Sequence, residues 1–145
     1  MRPTGPRRWR RIAVFVALAV LGLAGVLQTA HPPAGPTSAI DAAFEARRSD
    51  AWVEDAGIVE RVLADDRDGS RHQRFIVRLA SGRTVLIAHN IDLAPRLEPL
   101  RPGDPIRFRG QYEWNSQGGV VHWTHHDPSG RREGGWIEHG GRRTR

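Results

Sequence analysis

A mainly β fold, a small five-stranded barrel, is what this sequence predicts, and three observations carry the prediction. Five short runs of apolar residues with a period of two follow residue 50. A connector of about fourteen residues separates the third run from the fourth. The fourth run opens with "PGDPIRFRG", a lead-in shared by many small barrels, and holds a glycine, which marks a bulge or a barrel corner. This strand count and spacing match an oligonucleotide/oligosaccharide-binding (OB-like) barrel. An N-terminal export or anchor helix and a short amphipathic helix are expected to precede it.

The first element is a targeting segment over residues 1–30. Arg2, Arg7, Arg8, Arg10 and Arg11 precede Ile12 to Leu27, sixteen residues without a charge. A basic start before an apolar run is an export signal or a membrane anchor. The run is long for a signal core and short of the roughly 20 residues of a full span. A cleaved signal peptide and a single-pass anchor both stay open. In either case the arginines stay cytoplasmic and the rest of the chain lies outside. The expected place is the bacterial cell envelope: the domain is anchored to the inner membrane on its periplasmic side, or secreted after cleavage. Residues 31–37, "HPPAGPT", form a Pro/Gly linker.

Residues 38–141 are expected to form one domain, with 142–145 a basic tail. Ser38 is a candidate N-cap with Asp41 at the third helical position. Ile40, Ala43, Phe44 and Arg47 then share a stripe, which predicts a helix near 39–49 that lies on the domain as a lid. "GIVERVLADD" is the first strand and ends in an acidic turn. "QRFIVRL" follows, with Phe75, Val77 and Leu79 on one side. "SG" at 81–82 predicts a tight hairpin. "TVLIAHN" is apolar on both faces, as a central strand is. Ile91 to Ala94 can close one helical turn before Pro95. "IRFRGQYEW" points Ile106, Phe108, Gly110, Tyr112 and Trp114 one way. "VVHWTHH" is read as the fifth strand, and "GRREGGWIEHGGRRTR" as a loose arm pinned by Trp136 and Ile137.

Composition removes several function classes. There is no cysteine, so neither disulfides nor a Cys-type zinc site nor a cysteine nucleophile is available. The formal charge of +6 belongs mostly to the targeting segment. Five of the 22 basic residues, all Arg, precede residue 12, which leaves 17 arginines against 16 acids. Such a balance does not supply the basic face of a nucleic-acid binder, so nucleic acid is an unlikely partner. No phosphate-binding loop, dinucleotide fingerprint or serine-nucleophile elbow is present. Arg71, Arg74 and Arg78 are read as a solvated face, and "DDRDG" as a plain turn rather than a calcium loop.

"VVHWTHHDP", residues 120–128, is the chemically richest stretch. If it is a strand, His122 and His126 share a face about 13 Å apart, at roughly 3.3 Å per residue. Ligand nitrogens sit about 2.1 Å from a zinc ion, so the two cannot share one metal. A site therefore has to be assembled from several strand ends. His72, His89, Asn90, His125, His126, Asp127 and Trp136 are the candidates for a ligand-binding rim. His89, His125 and His126 are the hypothetical ligands of a zinc or manganese ion. Against these stands a structural role, with imidazoles that cap strand ends and bond loop backbone.

The strings "DDRDGSRHQRFIVRL", "LIAHNIDLAPR", "GQYEWNSQGGVVHWTHHDPSGR" and "GWIEHGG" resemble the bacterial domain-of-unknown-function family three-four-six-five over about residues 50–141. The resemblance implies a small exported protein with a barrel-like β fold and implies no activity. The expected function is an extracytoplasmic binding module, leaning away from enzymatic activity, whose His-rich rim takes a small polar or anionic ligand or an envelope component. A metal-dependent hydrolase of phosphodiesters is the alternative. Single-stranded nucleic-acid binding is a second.

Overall fold

The computed structural model describes residues 37–145. The targeting segment and all but the last residue of the linker fall outside the described residues. Among the described residues, no helix is long and apolar enough to cross a membrane.

Helix α1 spans Ala39–Glu45 and is shorter than the periodicity suggests. Its start is the expected capping box. Asp41 N–H donates to Ser38 Oγ at 3.0 Å, and Asp41 Oδ2 accepts from Ser38 N–H at 3.3 Å. It ends early because Arg47 adopts a left-handed backbone, φ 48°. Ile40 and Ala43 bury completely against the barrel. Arg83 Nε donates to Asp41 Oδ1 at 2.8 Å and ties the helix to the turn after the second strand.

The strands are β1 (Ala51–Val62), β2 (His72–Leu79), β3 (Thr84–Asn90), β4 (Pro105–Glu113), β5 (Val120–His122), β6 (Trp136–His139) and β7 (Arg142–Thr144). The first five form a closed barrel in the order β1-β2-β3-β5-β4, with β4 returning to β1. The β3–β5 pairing is parallel and the others are antiparallel. Closure works because β1 is long enough for two partners. Residues Ala51–Ile58 pair with β4, and Gly57–Val62 pair with β2 across a bulge between Val59 and Arg61.

Alternation holds in β2, β3 and β4. Phe75, Val77, Val85, Ile87, Ile106, Phe108 and Tyr112 face inward and are at most 3% exposed. Burying each large apolar side chain contributes about 1.5–3 kcal/mol. Gly110 is a close approach: a Cβ there would collide with the His122 carbonyl oxygen and the side chains of Val121 and Thr124. The expected turn after β3 is present, with Ala94 N–H donating to Asn90 O at 3.2 Å.

Three expectations need correction. The first strand runs over Ala51–Val62 rather than over "GIVERVLADD", because the stretch from Ala51 is paired with β4. Strand β5 stops at His122 instead of running to His126, because Trp123 takes a left-handed backbone, φ 54°. Trp123 is consequently half-buried outside the core, beneath Arg132. The C-terminal arm is also no loose tail. Trp136–His139 pairs with β4, and residues 142–144 form β7, the outer arm of a hairpin. The "HGGR" sequence explains the hairpin: Gly140 and Gly141 both have positive φ, 55° and 75°, as a two-residue primed turn demands.

Candidate functional site

His89 is the deepest polar side chain of the predicted rim. It faces inward on β3 opposite Gln73 of β2, and it is fully buried. Its Nδ1 lies 2.9 Å from Thr124 Oγ1 and its Nε2 lies 3.1 Å from Pro95 O. Only an N–H can meet a carbonyl, so Nε2 carries the proton and Nδ1 accepts from Thr124. Burial pushes the pKa down to about 4, and the charges of His125, His72 and Arg96 add to that. Gln73 completes the arrangement, donating from Nε2 to Leu97 O and accepting Leu97 N–H at Oε1. Together these groups fasten the connector Pro95–Leu97 onto the barrel end.

His125 is buried and stacks beside Trp123, with ring centroids 5.3 Å apart. Its Nδ1 lies 2.7 Å from His126 O, and burial holds its pKa below the usual imidazole range. His72 is half-buried at the start of β2, and its charge bears on both His89 and His125. His72, His89 and His125 are thus near enough for their charges to act on one another. The fold leaves His126 exposed.

Asp127 organises its own loop. Its oxygens accept from Ser129 N–H and Oγ–H and from Arg131 and Arg132 N–H, all within 3.0 Å. The Ser129 hydrogen bonds, with those from the two arginine amides, hold its pKa down to about 2. Such a carboxylate shapes a turn. Asp127→Asn is expected to speed amide hydrogen exchange at Arg131 and Arg132 at least tenfold; unchanged exchange would show that the loop is set by something else.

Asn90 Oδ1 accepts Asp92 N–H at 2.9 Å, an Asx turn that closes the end of β3. Trp136 is 8% exposed and lies under the guanidinium groups of Arg143 and Arg107. The three hypothetical metal ligands do not share a point. His89 is enclosed with both nitrogens bonded, and His126 faces solvent. Among the described residues, no group of three His, Cys, Asp or Glu side chains is placed to hold a metal ion.

The open surface lies on the outer side of that connector, at residues the sequence reading passed over. Two tight turns face each other there. "RPGD" is closed by Asp104 N–H to Arg101 O at 3.1 Å. "HGGR" sets His139 directly opposite Arg142. A hydrogen bond from His139 Nε2 to Asp104 Oδ2, 3.0 Å, clasps one turn to the other. Asp104 also accepts Arg101 N–H at 2.8 Å. Those two bonds, the backbone one first, hold its carboxyl below the ordinary range.

Around this clasp runs a groove made of three adjoining depressions of about 510, 200 and 290 Å³. His139 and Arg142 line all three. Five arginines and three carboxylates line the groove. Arg96 pairs with Asp65, Arg107 with Glu54 and Glu138, and Arg143 with Glu138. Arg101 and Arg142 have no carboxylate partner among the described residues; Arg142 reaches only the Glu98 carbonyl, at 3.4 Å. Arg71 and Arg78, of the solvated face, are more than half exposed and pair there with Asp92 and Glu60.

One signal in the sequence marked this place. A Gly-Gly pair between two alternating runs is a hairpin signature, and it fixes which residues stand opposite each other.

The family described as "Protein of unknown function (DUF3465)" matches residues 24–145 of the chain. No curated protein matches it.

Proposed function

The chain belongs to the DUF3465 family, and we propose that its barrel is a non-enzymatic binding module for a polar or anionic ligand, held by the groove around His139 and Arg142. The carrying observation is the open groove itself, lined by five arginines and three carboxylates, in which Arg101 and Arg142 enter no ion pair among the described residues. Guanidinium groups that border a concavity suit the paired oxygens of an acidic ligand.

The module works outside the cytoplasm in this reading, tethered by the Arg-first apolar segment that precedes it. Its partners are small polar molecules or acidic components of the envelope. The "HWTHHDP" stretch serves it indirectly, through Thr124: that hydroxyl donates to His89, and His89 and Gln73 hold the connector whose outer side is one wall of the groove.

The test is a thermal-shift panel on the full chain in a zwitterionic detergent, with inorganic phosphate, citrate and maltotriose. Ligand at ten times its dissociation constant stabilises by about 1.4 kcal/mol. For a domain of this size that raises the melting temperature by roughly 4–8 °C. At least one probe is expected to give such a rise in the wild type, and the rise is expected to vanish in Arg142→Glu. A panel with no response at 10 mM, or a response that survives Arg142→Glu, overturns the reading.

A further inference from the structure

We infer that the outer face of β1, β4 and β5 carries a stacking platform for a neutral, β-linked oligosaccharide, with the Trp52 indole as its floor. None of the platform residues lines the groove around His139 and Arg142, and the inference does not rest on that groove.

Strand register builds the platform. Trp52 of β1 stands opposite Gln111 of β4, and Gln111 stands opposite His122 of β5. Their chain neighbours Val53, Tyr112 and Val121 point into the core and are at most 3% exposed. Alternation therefore sends indole, amide and imidazole outward in one row across three strands. Trp52 is 37% exposed, more than any other described tryptophan. Its ring is braced: the Arg109 guanidinium lies 5.5 Å from the ring centroid, and Glu133 holds that guanidinium at 2.9 Å. A large apolar ring held in water is stabilised by whatever covers it.

The polar members of the row select the cover. Gln111 Nε2 donates to Asp50 Oδ1 at 3.0 Å, and Gln111 Oε1 is bonded to no described residue. His122 Nε2 has no hydrogen-bond partner, and Glu113 Oε1 stands 3.5 Å from it. Carboxylate and amide oxygens accept, so the row suits a ligand that brings many donors. Asp50 and Glu113 turn an anion away. A cation finds its place over the indole taken by Arg109. A pyranose satisfies both requirements, because its C–H face covers an aromatic ring while its hydroxyls donate around the edge. Equatorial β-linkage makes a chain of such rings a flat ribbon that can follow the row, whereas an α-linked chain coils away.

The experiment is heteronuclear NMR of the isotope-labelled full chain in a zwitterionic detergent. Cellotriose and triacetylchitotriose are titrated separately to 10 mM, and maltotriose is the coiled comparison. At least one β-linked trisaccharide is expected to shift the Trp52 indole N–H and the Gln111 side-chain amide in a saturable way. Equal responses identify the bare pyranose ribbon as the recognised group, and a response to triacetylchitotriose alone adds the acetamido group to it. Trp52→Ala is expected to weaken binding at least about tenfold, and Trp52→Phe, which keeps an aromatic face, by less. Gln111→Ala is expected to weaken it about threefold to tenfold. Arg61→Ala, at an exposed arginine outside the row, is expected to leave it unchanged. Backbone amide spectra that match the wild type confirm that the variants fold; if Trp52→Ala does not, Trp52→Phe and Gln111→Ala decide. The inference is overturned if neither β-linked sugar shifts these signals, if the Trp52 and Gln111 variants bind as the wild type does, or if maltotriose binds the row equally well.

Discussion

Gly110→Val is expected to lower the unfolding free energy by at least about 3 kcal/mol, or to prevent folding. Strand β4 is paired on both edges at this point. Val53 of β1 stands opposite Gly110, and the neighbouring Gln111 pairs with His122 of β5. The first atom of any side chain would collide with the His122 carbonyl oxygen, while Val121 Cγ1 and Thr124 Cγ2 lie 2.7 and 2.9 Å away. A backbone oxygen cannot rotate aside as a flexible side chain does. The whole ladder between β4 and β5 must shift, and β4 also closes the barrel against β1. Domains of this size are stable by about 5–15 kcal/mol, so the change removes a large fraction of the total. The measurement is urea unfolding followed by tryptophan fluorescence. Ala56→Val, at an exposed position of β1 near the same ladder, is the control and is expected to change the midpoint little. Gly110→Val with a wild-type midpoint would mean that the barrel has room at this corner that its atoms do not show.

Acidification is the second large effect. Stability is expected to fall by about 3 kcal/mol as pH drops from about 6.5 to about 4, since one pKa unit is worth about 1.36 kcal/mol. The direction follows from His89, whose pKa is pushed down from 6.5 to about 4 in the folded chain. Between those two values the unfolded chain binds a proton that the folded chain refuses, so protons favour unfolding. The contribution is fully present above pH 6.5 and fully lost below 4. His125 is shifted in the same direction and adds to the slope. The depressed carboxylates act lower: those of Asp92, Asp104 and Asp127 weaken folding progressively from about pH 5 downward, as the unfolded chain's carboxylates take up protons. The part of the slope between 6.5 and about 5 therefore belongs to the histidines. His89→Gln is expected to be about 1–3 kcal/mol less stable at pH 7, because Thr124 Oγ1 and Pro95 O lose a fitted partner. It should also lose most of the slope. Urea midpoints at pH 7, 5.5 and 4.3 decide the matter, and wild-type midpoints that do not move would show that the buried imidazole is not what resists protonation.

The strands were legible because burial on one face writes a period of two into the residues. In β2, β3 and β4 the inward residues are the ones that alternation selects, from Phe75 to Tyr112. The capping box at Ser38 was legible for a similar reason: a cap needs two particular side chains three residues apart. A five-stranded barrel followed from strand count and spacing, but the pairing of the stretch from Ala51 with β4 did not. The end of β5 was not legible. Val120, Val121, Trp123 and Thr124 all favour extended backbone, and only packing turns Trp123 into the left-handed region. Nor was the β6–β7 hairpin drawn from "WIEHGGRRT", although Gly140-Gly141 announced it; the surrounding arginines and glycines looked like an unstructured tail.

What the residues determined alone is the barrel and the fastening of its ends, because hydrophobic period, turn glycines and helix caps are local properties of a chain. Which polar groups stay open is a property of three dimensions. Two of the histidines that look most chemical along the chain, His89 and His125, are enclosed by the fold and bonded to backbone, and Asp127 closes a turn. Arg101 and Arg142 look ordinary among 22 arginines. What sets them apart is the depression they border together, and that is decided by strand pairing, which no local pattern records.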